Sequence, residues 1–109
     1  MILNFDNMEE QVIPNFKGGE KELKTHMYTD DHCKIMRATL ALGATIGLHT
    51  HETNCEIIFM LKGTGVVLYE DGKEILPAGS CHYCPKGRSH SLRNESDEVI
   101  EFYAVVPEQ

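Results

Sequence analysis

Turn-forming residues interrupt this chain so often that no long helix fits between them. Gly43, Gly47, Gly63-Thr64-Gly65, Asp71-Gly72, Pro77-Ala78-Gly79, Pro85-Lys86-Gly87 and Asn94-Glu95-Ser96-Asp97 follow one another at short intervals. Proline fixes φ and lacks an N–H, and glycine, asparagine and aspartate favour turns, so each cluster ends a regular element. The stretches between them alternate. Met36, Ala38, Leu40 and Leu42 share one parity, as a strand with one apolar face requires. Strands are predicted over 23–28, 33–42, 48–50, 56–61, 66–70, 73–76, 80–84, 89–93 and 99–106, with Asp71-Gly72 as a two-residue hairpin turn. About nine to eleven short strands and no helix describe an all-β sandwich or barrel.

The N-terminal part reads differently. Pro14 and Gly18-Gly19 break residues 1–22 into a lead-in, in which Ile2, Leu3 and Phe5 supply an edge strand or one exchanged with a partner subunit. Residues 23–109 form the barrel, and a chain of 109 residues is expected to be a single domain. The formal net charge of −7 repels a phosphate backbone, so nucleic acid is not an expected partner. The longest apolar run, Ile57 to Leu61, is too short to span a membrane. Met1 to Asp6 carries no basic region and no long apolar core, which points to the cytoplasm. There Cys33, Cys55, Cys81 and Cys84 are expected as thiols.

Three histidines and a glutamate stand out as metal ligands. His49 and His51 are two apart, so in a strand both project to one face, about 7 Å apart. A polar connection, Glu52 to Cys55, reverses the chain and turns Glu56 toward the same cavity. His90 follows a Pro/Gly turn. Three imidazoles and one carboxylate suit a divalent first-row ion: Fe, Mn, Ni, Zn, Cu or Co. On a six-coordinate ion they leave two positions for water or a small molecule. A His-x-His pair alone is weak, and histidines that only hydrogen-bond in a metal-free barrel are the competing reading.

The spacing of the whole set resembles the cupin family. Gly43, His49, His51, Glu56 and Gly63 stand at G-x5-H-x-H-x(3,4)-E-x6-G, and Gly79, Pro85, Gly87, His90 and Asn94 at G-x5-P-x-G-x2-H-x3-N. The segment between, Thr64 to Ala78, is short, as in compact microbial members. Ser80 replaces an aspartate common in relatives, away from the ligand positions. The resemblance implies a cupin-type double-stranded β-helix, or jelly-roll barrel, with the ion held by His49, His51, Glu56 and His90. It also implies a homodimer joined through sheet edges or outer faces. The activities it implies are those of small-molecule metalloenzymes: dioxygenases, oxalate-degrading enzymes, isomerases and lyases. Glu56 is then the candidate base. A non-catalytic small-molecule-binding or sensor barrel is the alternative.

Parity assigns the substrate wall to Met36, Leu40, Ile58, Met60 and Leu92, with Tyr83 and Phe102 beside them, which makes an apolar and fairly small pocket. Cys81 and Cys84 fall on opposite faces of their strand, the wrong geometry for joint chelation. His82 is read as a surface or hydrogen-bonded histidine, and His26 and His32 as solvated. Arg37 shares parity with Thr39 and Ala41 and is read as outward-facing, with an inward carboxylate clamp as the alternative.

Overall fold

The computed structural model describes all residues, Met1–Gln109, as ten strands and two short 3-10 turns. The strands are β1 (Gln11–Pro14), β2 (Glu22–Thr29), β3 (Cys33–Leu40), β4 (His49–Thr50), β5 (Glu56–Lys62), β6 (Thr64–Tyr69), β7 (Gly72–Pro77), β8 (Cys81–Cys84), β9 (Ser89–Arg93) and β10 (Ile100–Pro107). They form two antiparallel sheets, one ordered β1-β2-β3-β10-β5-β8 and the other β4-β9-β6-β7. This is the expected jelly roll.

Alternation puts the core between the sheets. Ile100, Phe102, Ala104 and Val106 of β10 point inward, and so do Met36, Ala38 and Leu40 of β3. The register matches large to small across the pair. Phe102 faces Ala38, and Ala104 faces Met36. On the other side of β10, Phe102 faces Met60 and Ala104 faces Ile58 of β5. Volumes therefore interdigitate without a large void, as a close-packed interior requires. The opposite sheet closes the core with Val67 and Leu92, which are register partners. Asn94 is buried and fully bonded. Its amide nitrogen donates to the Leu40 and Glu98 carbonyls at 2.9 and 2.7 Å, and its oxygen accepts from Ser96 N and Oγ. It locks the β9–β10 loop onto the end of β3.

Three expectations shift. Leu42 lies past the end of β3 and is exposed, so the apolar stripe stops at Leu40. The β6–β7 turn is Glu70-Asp71 rather than Asp71-Gly72, because Tyr69 pairs with Gly72. Core register sets this position. Buried Leu76 must lie opposite Gly65, and Glu70 adopts the left-handed φ of 55° that the turn needs. The edge strand comes from Gln11–Pro14, paired to β2, and not from Ile2, Leu3 and Phe5. Phe5 begins a 3-10 turn and packs on Tyr103, ring centroids 5.6 Å apart, while Ile2 is exposed. Arg37 faces outward as expected. It donates to Asp6 Oδ1 at 2.6 Å and lies over the Phe5 ring.

Candidate metal centre

Both sheets deliver ligands to one end of the barrel. β4 pairs with β9 so that His49 sits opposite His90. His51 follows β4 directly, its N–H donating to the Arg88 carbonyl at 3.0 Å and its carbonyl accepting from Gly87 N at 2.6 Å. Glu56 opens β5 of the other sheet. The three imidazole rings stand edge to face, with centroids 4.8, 4.8 and 4.9 Å apart. Glu56 Oε1 lies 2.8 Å from His90 Nε2, 3.0 Å from His51 Nε2 and 3.6 Å from His49 Nε2. His51 Nε2 and His90 Nε2 are 3.0 Å apart. His51, Glu56 and His90 are buried, and His49 keeps a partly open edge.

The partners on the far side of each ring fix its tautomer. His49 Nδ1 donates to the Gly47 carbonyl at 2.8 Å, and His51 Nδ1 to Asn54 Oδ1 at 2.5 Å. His82 Nδ1 donates to Glu74 Oε1 at 3.0 Å, which leaves His82 Nε2 to accept from His90 Nδ1, also at 3.0 Å. Each ring thus spends its N–H outward and turns an Nε2 lone pair inward. Three lone pairs and a carboxylate this close form a group that could hold one shared cation. Separations of 2.8 to 3.6 Å among these donors are short enough for one ion about 2.1 Å from each to be shared by all four. The group fits a metal ion on its own geometry and donor chemistry.

The electrostatics agree. Burial alone would push the Glu56 carboxyl up, but the His49, His51 and His90 rings clustered around it outweigh that and hold it well below the usual carboxylate range. Burial also works against a proton on His51, yet bonds to Glu56 and Asn54 raise its pKa above the ordinary value. For His90 burial prevails over Glu56 and lowers it.

His82 lies inside the barrel, a placement that the default reading of a surface or hydrogen-bonded ring only half describes. Its parity with buried Cys84 in β8 is the signal that places it there. His82, Cys84 and His90 form a second donor group. Burial, followed by the Glu56 charge, pushes the Cys84 thiol up to about 11, and His90 Nδ1 is already committed to His82. Cys81 and Tyr83 point to solvent, so Tyr83 leaves the pocket wall. Cys55 is buried, and all four cysteines are free.

A cavity of about 220 Å³ opens beside the ligands. Of the residues that parity assigns to the wall, Met36 lines this cavity. Leu40, Ile58, Met60, Leu92 and Phe102 do not, because they belong to the sealed core beneath. The cavity is polar where an apolar one is expected. Thr50, Glu52, Thr53 and Asn54 come from the ligand loop, and Phe16, Lys17 and Lys34 from outside both motifs.

The cupin-domain profile (Cupin_2) matches residues 36–106, and the chain belongs to the cupin family. It is 32% identical to a Thermotoga maritima protein named oxalate-binding protein, over 97% of this chain and 93% of that one. A crystal structure from Thermotoga maritima described as a predicted oxalate decarboxylase superposes with a TM-score of 0.92, at 27% identity, covering 100% of both chains. The cupin domain of Schizosaccharomyces pombe Cnp3 shares the fold at a TM-score of 0.80 and 14% identity, covering 100% of this chain and 74% of that one. No helix is long and apolar enough to cross a membrane.

Proposed function

We propose that this cupin holds one divalent transition-metal ion on His49, His51, Glu56 and His90 and binds a small carboxylate at it. The observation that carries the reading is the convergence of three Nε2 atoms and Glu56 Oε1, with every Nδ1 committed outward. The ion supplies Lewis acidity and open positions for an anionic oxygen. The protein fixes the ligand geometry and offers Thr50 and Asn54 beside it. The carboxylate class is supported by the relative named as oxalate-binding.

Turnover at the same ion, of dioxygenase-like, isomerase or lyase type, is the second reading, favoured by the cavity adjoining the ligands. Glu56 is a poor base for it, because the three histidines hold its pKa well below the usual carboxylate range and so lower its affinity for a proton. The cytoplasm suits four free thiols. A second copy of the chain would cover the apolar outer face of the larger sheet, where Phe59, Leu61 and Tyr83 are exposed.

The test is reconstitution of untagged protein with Mn, Fe(II), Co, Ni or Zn, then elemental analysis and calorimetric titration with oxalate and related acids. About one equivalent of ion is expected, lost in His49→Ala/His90→Ala, with carboxylate binding only in the loaded protein. Less than about a tenth of an equivalent of every ion would refute the metal reading. Oxygen-electrode and product assays on the loaded protein decide between binding and turnover.

A further inference from the structure

The loop Asn15–Gly19 is the least expected part of the cavity. Phe16 and Lys17 reach the ligand end of the barrel from a segment that precedes both motifs. Lys34, from the start of β3, reaches the same place. The Lys17 and Lys34 ammonium groups lie 5.5 and 5.9 Å from the centroid of the single Phe16 ring. Neither is paired with a carboxylate, although other basic residues are, as in Arg37–Asp6 and Arg88–Glu70. Two unpaired ammonium groups beside one ring add a local positive field to the cavity, which favours an anion there.

The loop is held rigidly in that place. Gly47 N donates to the Phe16 carbonyl at 3.0 Å, and a Cβ on Gly47 would meet the Lys17 carbonyl oxygen at 2.0 Å. The Gly47 carbonyl in turn receives His49 Nδ1, so the loop is tied to a ligand through one residue. Asn15 Nδ2 closes the loop on the Gly19 carbonyl. Lys17 itself has a left-handed φ of 56°, a conformation that is strained for a non-glycine residue. A glycine there would remove that strain, and the chain keeps a lysine.

The local charge is also inverted. A divalent ion, Lys17 and Lys34 set against Glu56 and Glu52 leave two net positive charges in the cavity, in a chain whose formal charge is −7. Lys17 is near enough to act on the charge of His51. At about 30 Å³ of liquid volume per water, the cavity holds about seven waters, or a ligand of a similar number of non-hydrogen atoms.

We infer that Lys17 and Lys34, mounted on Phe16, form an anion clamp at the cavity mouth that selects small dianions, one charged end on the metal side and the other between the lysines. This rests on the metal-and-carboxylate reading above and adds to it the charge class and the residues that choose it. Before the ion binds, the two lysines only balance the two glutamates, so the preference for a dianion arises with metal loading.

The test uses cobalt-loaded full-length protein, read by calorimetry and by the visible spectrum of the ion. The probes are oxalate, its monoanionic half-amide oxamate, inorganic phosphate and azide, each at low and moderate salt. The variants are K17Q/K34Q and the charge-preserving K17R/K34R. K17Q/K34Q is expected to keep one equivalent of cobalt and to weaken oxalate by about tenfold or more, oxamate by clearly less, with a flatter salt dependence. K17R/K34R is expected to restore at least part of the loss. Oxalate binding at wild-type affinity in K17Q/K34Q overturns the clamp. A loaded wild type that binds no carboxylate sinks the ligand class proposed above and leaves the clamp to be scored on phosphate against azide. A phosphate preference that vanishes in K17Q/K34Q supports the clamp, and equal responses, or none to any anion, overturn it.

Discussion

Replacing His82 by phenylalanine tests whether the ring behind a ligand controls the ion. His82 Nε2 accepts the Nδ1–H of His90 at 3.0 Å, and both rings are buried. Phenylalanine keeps much of the ring volume against Tyr69, whose centroid lies 5.2 Å away, but offers no acceptor. His90 Nδ1–H is then buried without a partner, which costs about 1–3 kcal/mol. His90 can escape by moving its proton to Nε2 or by rotating, and either change withdraws the lone pair from the ion. Loss of such a partner lowers metal affinity by about 10–100-fold, or roughly 1.4–2.7 kcal/mol. Competition between the protein and a chromophoric chelator for zinc or cobalt measures this directly, with the cobalt spectrum reporting ligand geometry. Two further variants separate the cause from general damage. His82→Gln retains an acceptor and is expected to recover most of the affinity. Glu74→Gln keeps an oxygen for His82 Nδ1–H at a half-exposed site and is expected to shift affinity by less than about threefold. Wild-type affinity and spectrum in a folded His82→Phe protein would refute the claim that this ring sets the His90 tautomer.

Two other outcomes follow from the same geometry. Gly47→Ala places a methyl 2.0 Å from the Lys17 carbonyl oxygen, against backbone on both sides. It is expected to lower stability by about 2 kcal/mol or more in a denaturant titration, and a neutral effect would show that the loop is not seated there. Metal affinity should also depend on pH with a definite sign. His51 must lose a proton before its Nε2 can ligate, and its pKa lies above 6.5. Affinity is therefore expected to rise by about tenfold per pH unit on the acid side of that value and to level off above it. His90, held lower, adds to the slope only further into acid. Affinity that stays flat as pH rises from about 5 to 8 would count against imidazole ligation.

The clustering of His49, His51, Glu56 and His90 was readable in sequence because its constraints are local. Gly43, Gly63, Gly79 and Gly87 all have φ between 78° and 89°, so the turns that aim His49, Glu56 and His90 need those residues at those places. Asn94 was legible for a similar reason, since it bonds four groups around one loop. The cavity wall was not legible. Parity identified Leu40, Ile58, Met60, Leu92 and Phe102 as inward-facing, and they are. Inside a barrel, however, inward means either sealed core or open cavity, and alternation carries no information about depth along the barrel axis. Phe16 and Lys17 could not be found by periodicity at all. Their position depends on pairing of the N-terminal segment with β2 and on contact with Gly47, which lies far along the chain.

That contact at Gly47 has an evolutionary consequence. The residues proposed to hold the ion and those at the entrance come from separate stretches of chain, which meet at backbone contacts through Thr45 and Gly47. On the proposed reading, substitutions at Phe16 or Lys17 are expected to change which anions are admitted while His49, His51, Glu56 and His90 stay in place.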